Sequence, residues 1–138
     1  MTRIVLDAWA LLAWLQDERP ASAAVQKHLE AAERGDQELH LSLMNAGEVY
    51  YRLAKGRDRK AAADFRAGLA SMPVRLHIPT AEDIWQAAVL KSRRRISYAD
   101  GFAASLAQRL GAVLLTGDRD FTGIPALKVQ WLHRAPSA

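Results

Sequence analysis

The chain of 138 residues contains no cysteine. Disulfides and thiolate metal sites are therefore excluded, which fits a reducing, cytoplasmic compartment. No apolar run approaches the roughly 20 residues that span a bilayer. The first residues carry no secretory pattern, since Asp7 and Asp17 interrupt the apolar stretch and no small-residue cleavage site follows. Only four histidines are present, His28, His40, His77 and His133, with no close pair along the chain. Any metal is thus expected on oxygen ligands. There is no Gly-rich loop to cradle a phosphate, no internal repeat and no low-complexity linker, and the length predicts one domain, 1–138, with a substantial core.

What is present is an ordinary soluble composition, half apolar and a quarter charged, with a net charge of +4. Setting aside four of the 15 carboxylates nominated below leaves 19 basic residues against 11 acidic ones, a balance of +8. A cationic body around a local acidic pocket suits a polyanion handled through a metal ion.

Short apolar runs alternate with helical periodicity. Strands are expected at 3–6, 38–43, 74–78, 112–115 and 128–132, and helices at 8–16, 21–34, 43–55, 58–71, from 80 into the basic run 91–95, and 98–110. Gly35 and Gly56 stop two helices, Ser42 caps a third, and Thr80 with Asp83 matches a capping box. The fifth helix carries Ile84, Trp85, Ala88 and Val89 as its apolar positions. The tail from Arg134 is expected to be mobile. Strands alternating with helices imply an α/β fold with a mostly parallel sheet, and ligands of such sheets sit beyond the carboxyl ends of the strands.

Those ends are acidic. Asp7 closes the first strand, and Asp118 and Asp120 follow the run Ala112–Leu115. Glu48 and Asp100 lie near the starts of two helices. Each also has an ordinary explanation. Asp7 fits an N-cap, Glu48 a solvated flank, Asp100 a capping box with Ser97, and Asp118 with Asp120 a polar turn. Gly101, costly inside a helix, permits close approach by backbone or ligand. The signal is the set. Carboxylates converging on one crevice repel and raise each other's pKa, a divalent cation offsets this, and oxygen-only ligands select hard ions such as Mg²⁺ or Mn²⁺.

With LDAWALLAWL, NAGEVYYRL, SYADGFAASLAQRLGA and LLTGDRDF in this order, the whole chain resembles the PIN-domain ribonucleases, and among them the VapC-type toxins of type II toxin–antitoxin pairs. The resemblance implies a three-layer α/β/α fold with a five-stranded sheet of order 3-2-1-4-5. It implies an acidic quartet of Asp7, Glu48, Asp100 and Asp118 that binds Mg²⁺ or Mn²⁺ and hydrolyses RNA phosphodiesters, leaving 5′-phosphate and 3′-hydroxyl ends. Asp120 matches a second acid of the last motif, Thr116 an assisting hydroxyl, and Ser42 and Asn45 supporting polar positions. It also implies a homodimer and a cognate antitoxin that occludes the site. One departure is Trp9, where the family usually has a small hydroxyl residue; either a polar helper is lost or Trp9 turns into the core.

Substrate grip is expected from Arg52, Lys55, Arg57, Lys91, Arg93, Arg94, Arg95 and Arg119, although the run Lys91–Arg95 equally suits a helix carboxyl end. Trp14 and Trp85, in apolar helical stretches, suit core or interface packing better than base stacking. Competing readings are a PIN nuclease of RNA processing outside toxin–antitoxin pairs, a non-catalytic RNA- or protein-binding module on the same fold, and a metal-dependent phosphohydrolase of small phosphates.

Overall fold

Five parallel strands form one sheet of order β3-β2-β1-β4-β5. The computed structural model describes residues 1–136, with strands β1 Thr2–Leu6, β2 Gln37–Ser42, β3 Arg75–His77, β4 Val113–Thr116 and β5 Lys128–Trp131, and helices α1 Ala8–Leu15, α2 Ala21–Glu33, α3 Leu43–Lys55, α4 Arg59–Gly68, α5 Ala81–Arg93 and α6 Tyr98–Leu110. The central strands are apolar on both faces, as burial from both sides requires. Successive side chains alternate between two cores. Ile4, Leu6, Leu39, Leu41 and Leu115 join the core containing residues of α1 to α4. Val5 and Leu114 join Leu90, Ile96, Ala103, Ala104 and Leu106 on the other side.

The expected strand order is the observed one, and it positions the acids. In the β1–β4 pairing Leu6 lies opposite Leu115. The next residues, Asp7 just past β1 and Thr116 at the end of β4, therefore stand side by side. Asp7 is also the N-cap of α1, accepting from the Ala10 N–H at 2.8 Å; cap and site coexist in one carboxylate.

Several local expectations shift. The fourth helix ends at Gly68 and tightens into a 3-10 turn over Leu69–Ser71. Strand β4 runs one residue further, so Thr116 belongs to the sheet. Helix α5 does not bury Ile84, Trp85 and Val89. Its buried residues are Asp83, Ala87 and Leu90, while Trp85 is 70% exposed. The reason lies at Gly101, where an added Cβ would sit 3.1 Å from the Ala87 backbone. Gly101 serves close packing of α6 on α5, and that contact selects which face of α5 is covered.

Residues 132–135 are hydrogen-bonded back onto the fold. The Leu132 N–H donates to the Thr116 carbonyl, the Ala21 N–H to the His133 carbonyl and the Ala135 N–H to the Arg19 carbonyl, at 2.8, 2.9 and 2.8 Å. Arg134 forms an antiparallel bridge with Pro20 and an ion pair with Glu18 at 3.0 Å. The segment after β5 thus crosses to the α1–α2 connection; residues 137–138 of that tail lie outside the described residues. Among the described residues no helix is long and apolar enough to cross a membrane.

Candidate active site at the carboxyl edge of the sheet

A cleft of about 590 Å³ opens beyond β1 and β4. It is lined by Trp9, Leu12, Gln16, Glu18, Glu48, Arg52, Ser97, Asp100, Asp118, Asp120 and Arg134. Five of these are acidic and two basic.

Asp100, Asp118 and Asp120 are brought together most closely. Each can offer one carboxylate oxygen such that the three lie within 4.8 Å of one another. Asp100 is buried, and stands in the first turn of α6 because Ser97 caps that helix by accepting from the Asp100 N–H at 3.0 Å. Asp118 caps the following 3-10 turn by accepting from the Asp120 N–H at 2.9 Å, which swings Asp120 back toward the cleft.

Asp7 stands behind this group and does not line the cleft. One of its oxygens takes the Ala10 N–H and the other accepts the Thr116 hydroxyl. Thr116 Oγ1 in turn accepts the Asp118 N–H at 3.0 Å. The threonine is therefore a strut between the first and last acids. Burial, partly opposed by the hydrogen bonds from Thr116 and Ala10, pushes the Asp7 carboxyl up to about 8, with Asp100 and Asp118 adding repulsion. Burial also pushes Asp100 up to about 7, with further repulsion from Asp118 and Glu48.

Glu48 is buried on α3. Its Oε2 accepts from Arg52 Nε at 2.7 Å, one helical turn on. Its Oε1 is buried without a hydrogen-bond partner, as is Asn45 Oδ1. Buried oxygens without donors are costly, and one on a cleft-lining carboxylate is what a cation or its water would satisfy. Together with the three converging aspartates, this donor set of hard oxygens fits Mg²⁺ or Mn²⁺. Asn45 Nδ2 donates to the Ala99 carbonyl at 3.0 Å, pinning α3 to the start of α6 and so Glu48 to Asp100. Ser42 caps α3 through the Met44 N–H at 3.3 Å. Neither Ser42 nor Asn45 lines the cleft.

Of the basic residues expected to grip substrate, only Arg52 lines the cleft. Arg119 stacks on the Trp131 ring at 4.4 Å and Lys55 lies over Tyr51 at 5.7 Å. Arg94 donates to the carbonyls of Thr122 and Gly123, clipping a loop. Arg57, Lys91, Arg93 and Arg95 do not reach it. Conversely, Arg134 and Glu18 are cleft residues that sequence reading missed, because nothing local to either marks the contact between them.

Trp9 neither restores a hydroxyl nor turns fully inward. Half-buried, its six-membered ring occupies the space a Cβ on Gly117 would need. Its other neighbour is the Arg134 guanidinium, 4.8 Å from the ring centroid. The histidines, scattered in sequence, do include a spatial pair across β2 and β3: His40 Nδ1 lies 2.8 Å from Nε2 of His77, which stands opposite Ser42. His40 Nε2 is bonded to Glu38, and neither histidine lines the cleft.

The chain belongs to the PIN domain family, whose model matches residues 4–127. Among solved structures it is similar to a chain of the VapBC2 complex of Rickettsia felis bound to a promoter DNA fragment, with 15% identity, TM-score 0.75, and 96% of this chain and 100% of that one covered. It is also similar to Mycobacterium tuberculosis VapC20, described as a sarcin-ricin loop cleaving toxin, with 23% identity, TM-score 0.70, and 86% and 92% covered. A third is VapBC-1 of nontypeable Haemophilus influenzae, with 21% identity, TM-score 0.67, and 94% and 98% covered. No curated protein matches the sequence significantly.

Proposed function

We propose that this PIN domain is a divalent-metal-dependent endoribonuclease, the toxin of a type II toxin–antitoxin pair acting in the cytoplasm. The observation that carries the reading is the convergence of Asp100, Asp118 and Asp120 in one cleft, with the buried Glu48 oxygen lacking a donor beside them. The solved neighbours, one a toxin that cleaves the sarcin-ricin loop and two from VapBC complexes, support the RNA substrate and the antitoxin partner.

Asp100, Asp118 and Asp120 would hold the ion, with Glu48 reaching it directly or through water. A bound Mg²⁺ or Mn²⁺ supplies Lewis acidity toward a phosphate oxygen and makes a bound water a nucleophile near neutral pH. The chain's own residues do the rest. Asp7 and Thr116 hold the backbone of the last motif against α1, so the acids cannot spread apart. Arg52 occupies one oxygen of Glu48 and leaves the other for the site. Because water is the nucleophile in this reading, the RNA 2′-hydroxyl is not consumed, and the products carry 5′-phosphate and 3′-hydroxyl ends. A homodimer is the expected assembly, and exposed Ile78 and Trp85 are apolar surface it would cover.

The test is purified protein with Mn²⁺ or Mg²⁺ and RNA, beside Asp100→Asn. Cleavage lost in the variant and 5′-phosphate ends support the reading. Equal RNA loss in both samples identifies a contaminant, cyclic-phosphate ends a different chemistry, and RNA bound but left intact a non-catalytic module. Light scattering checks the dimer. Co-expression with the product of a neighbouring short reading frame, followed by loss of cleavage in the purified complex, checks the antitoxin.

A further inference from the structure

We infer that Arg134 is the residue that grips the RNA phosphate backbone at the wall of the acidic cleft, and that Trp9 is its positioning residue. The inference rests on the nuclease reading above and names how that site takes its substrate. A polyanion entering a cleft whose charged side chains are mostly carboxylates meets repulsion, which the wall must offset. Among the described residues two cations line it. Arg52, 56% exposed, gives its Nε at 2.7 Å to Glu48, a carboxylate of the acidic site itself. Arg134 is the other, and its side chain is 51% exposed.

Three contacts hold Arg134 where it is. Its backbone is bridged to Pro20 and flanked by the hydrogen bonds of His133 and Ala135 to the α1–α2 connection. Its guanidinium lies against the Trp9 ring at 4.8 Å, an attractive arrangement for a cation and an indole face. Its Nη1 donates to Glu18 at 3.0 Å. Among the described residues it makes no other side-chain hydrogen bond, which leaves donors of the guanidinium for an incoming phosphate oxygen. The indole is itself fixed, because it lies in the space above Gly117 that any side chain there would fill. Gly117 stands next to Asp118, so the grip is built onto the same turn that delivers the acid. The tryptophan two places after Asp7 thus has a use: it is a platform that orients a cation at the cleft wall.

The experiment measures RNA cleavage and metal-free RNA binding for Arg134→Ala, Arg134→Lys, Trp9→Phe and Trp9→Ala, with Asp100→Asn as the reference for the nuclease reading. Arg134→Ala is expected to raise KM about tenfold with kcat within about twofold, and to flatten the salt dependence of binding by about one phosphate contact. Trp9→Ala should shift KM in the same direction, the double substitution should add little to either alone, and Trp9→Phe and Arg134→Lys should recover part of the loss. Unchanged KM and salt slope in Arg134→Ala, with wild type active and Asp100→Asn inactive, overturns the inference and leaves the nuclease reading intact. A fall in kcat alone, or KM loss matched by a lowered melting temperature, overturns it too, as a structural role. Wild type that neither binds nor cuts RNA removes the reading beneath it.

Discussion

Asp7→Asn should make the metal-free protein less sensitive to rising pH. Asp7 is almost wholly buried and its carboxyl is pushed up from an ordinary 3.8 to about 8, chiefly by burial. Between pH 5 and pH 7.5 the unfolded chain has already released this proton while the native state still holds it. The native state thus binds more protons, and its stability falls as pH rises from the ordinary carboxylate range toward pH 8. At about 1.36 kcal/mol per pH unit the loss across those roughly 2.5 units is about 3 kcal/mol. Asparagine keeps the N-cap and has nothing to titrate. Urea melts in chelator at the two pH values should therefore show the variant gaining on the wild type by about 3 kcal/mol between pH 5 and pH 7.5. Mn²⁺ added at pH 7.5 should raise the stability of both proteins, since a cation held by Asp100, Asp118 and Asp120 binds the folded state and is linked to folding. Asp100, raised to about 7, contributes in the same direction to both proteins and does not remove the difference. Parallel pH slopes for wild type and variant would refute the claim that Asp7 is held protonated by its burial.

The scaffold offers further tests by thermal melting. Arg109→Ala leaves Asp83 buried without its two-pronged partner at 3.0 and 3.1 Å and should cost about 2 kcal/mol, below the range for fully buried pairs because Arg109 is about a third exposed. Burial raises the Asp83 carboxyl, but its hydrogen bonds from Arg109 and Thr80 outweigh this and hold it below the ordinary range. The deficit of the variant should accordingly shrink as pH falls below the usual carboxylate range. Gly101→Ala drives a Cβ to 3.1 Å from Ala87 and should destabilise by about 1–2 kcal/mol through separation of α5 and α6. Ala126→Gly should stabilise by about 0.5–1 kcal/mol, because Ala126 sits at φ +60°, where a Cβ is strained.

The residues that could be read from sequence are those whose role is local or periodic. Strand ends, caps and helix spacing exposed Asp7, Asp100 and Asp118 together with every strand and α-helix, since each depends on neighbours within a turn or two. The pairing of β1 with β4, which turns separate acids into a cleft, came only through family resemblance, because it links Asp7 to Thr116 across 109 positions. What escaped reading was set by partners far away in sequence. Helix α5 looked apolar along Ile84, Trp85 and Val89, yet an apolar stripe does not say which side a neighbour occupies. Here the glycine of α6 decides it, and Asp83 is buried because Arg109, 26 positions on, neutralises it.

Arg134 escaped for the same reason, being joined to Glu18 over 116 positions. Trp9 and Gly117 show how such pairs can still be sought. Alone, the first is a large aromatic two places after Asp7, and the second is an ordinary loop glycine. In the structure each accounts for the other, because the ring needs the room that the missing Cβ leaves. The combination also makes a directional claim. Gly117→Ala should displace the indole and with it the Arg134 guanidinium, so its effect on RNA affinity should resemble that of Trp9→Ala. A Gly117→Ala protein that binds RNA as the wild type does would mean that the ring only fills space.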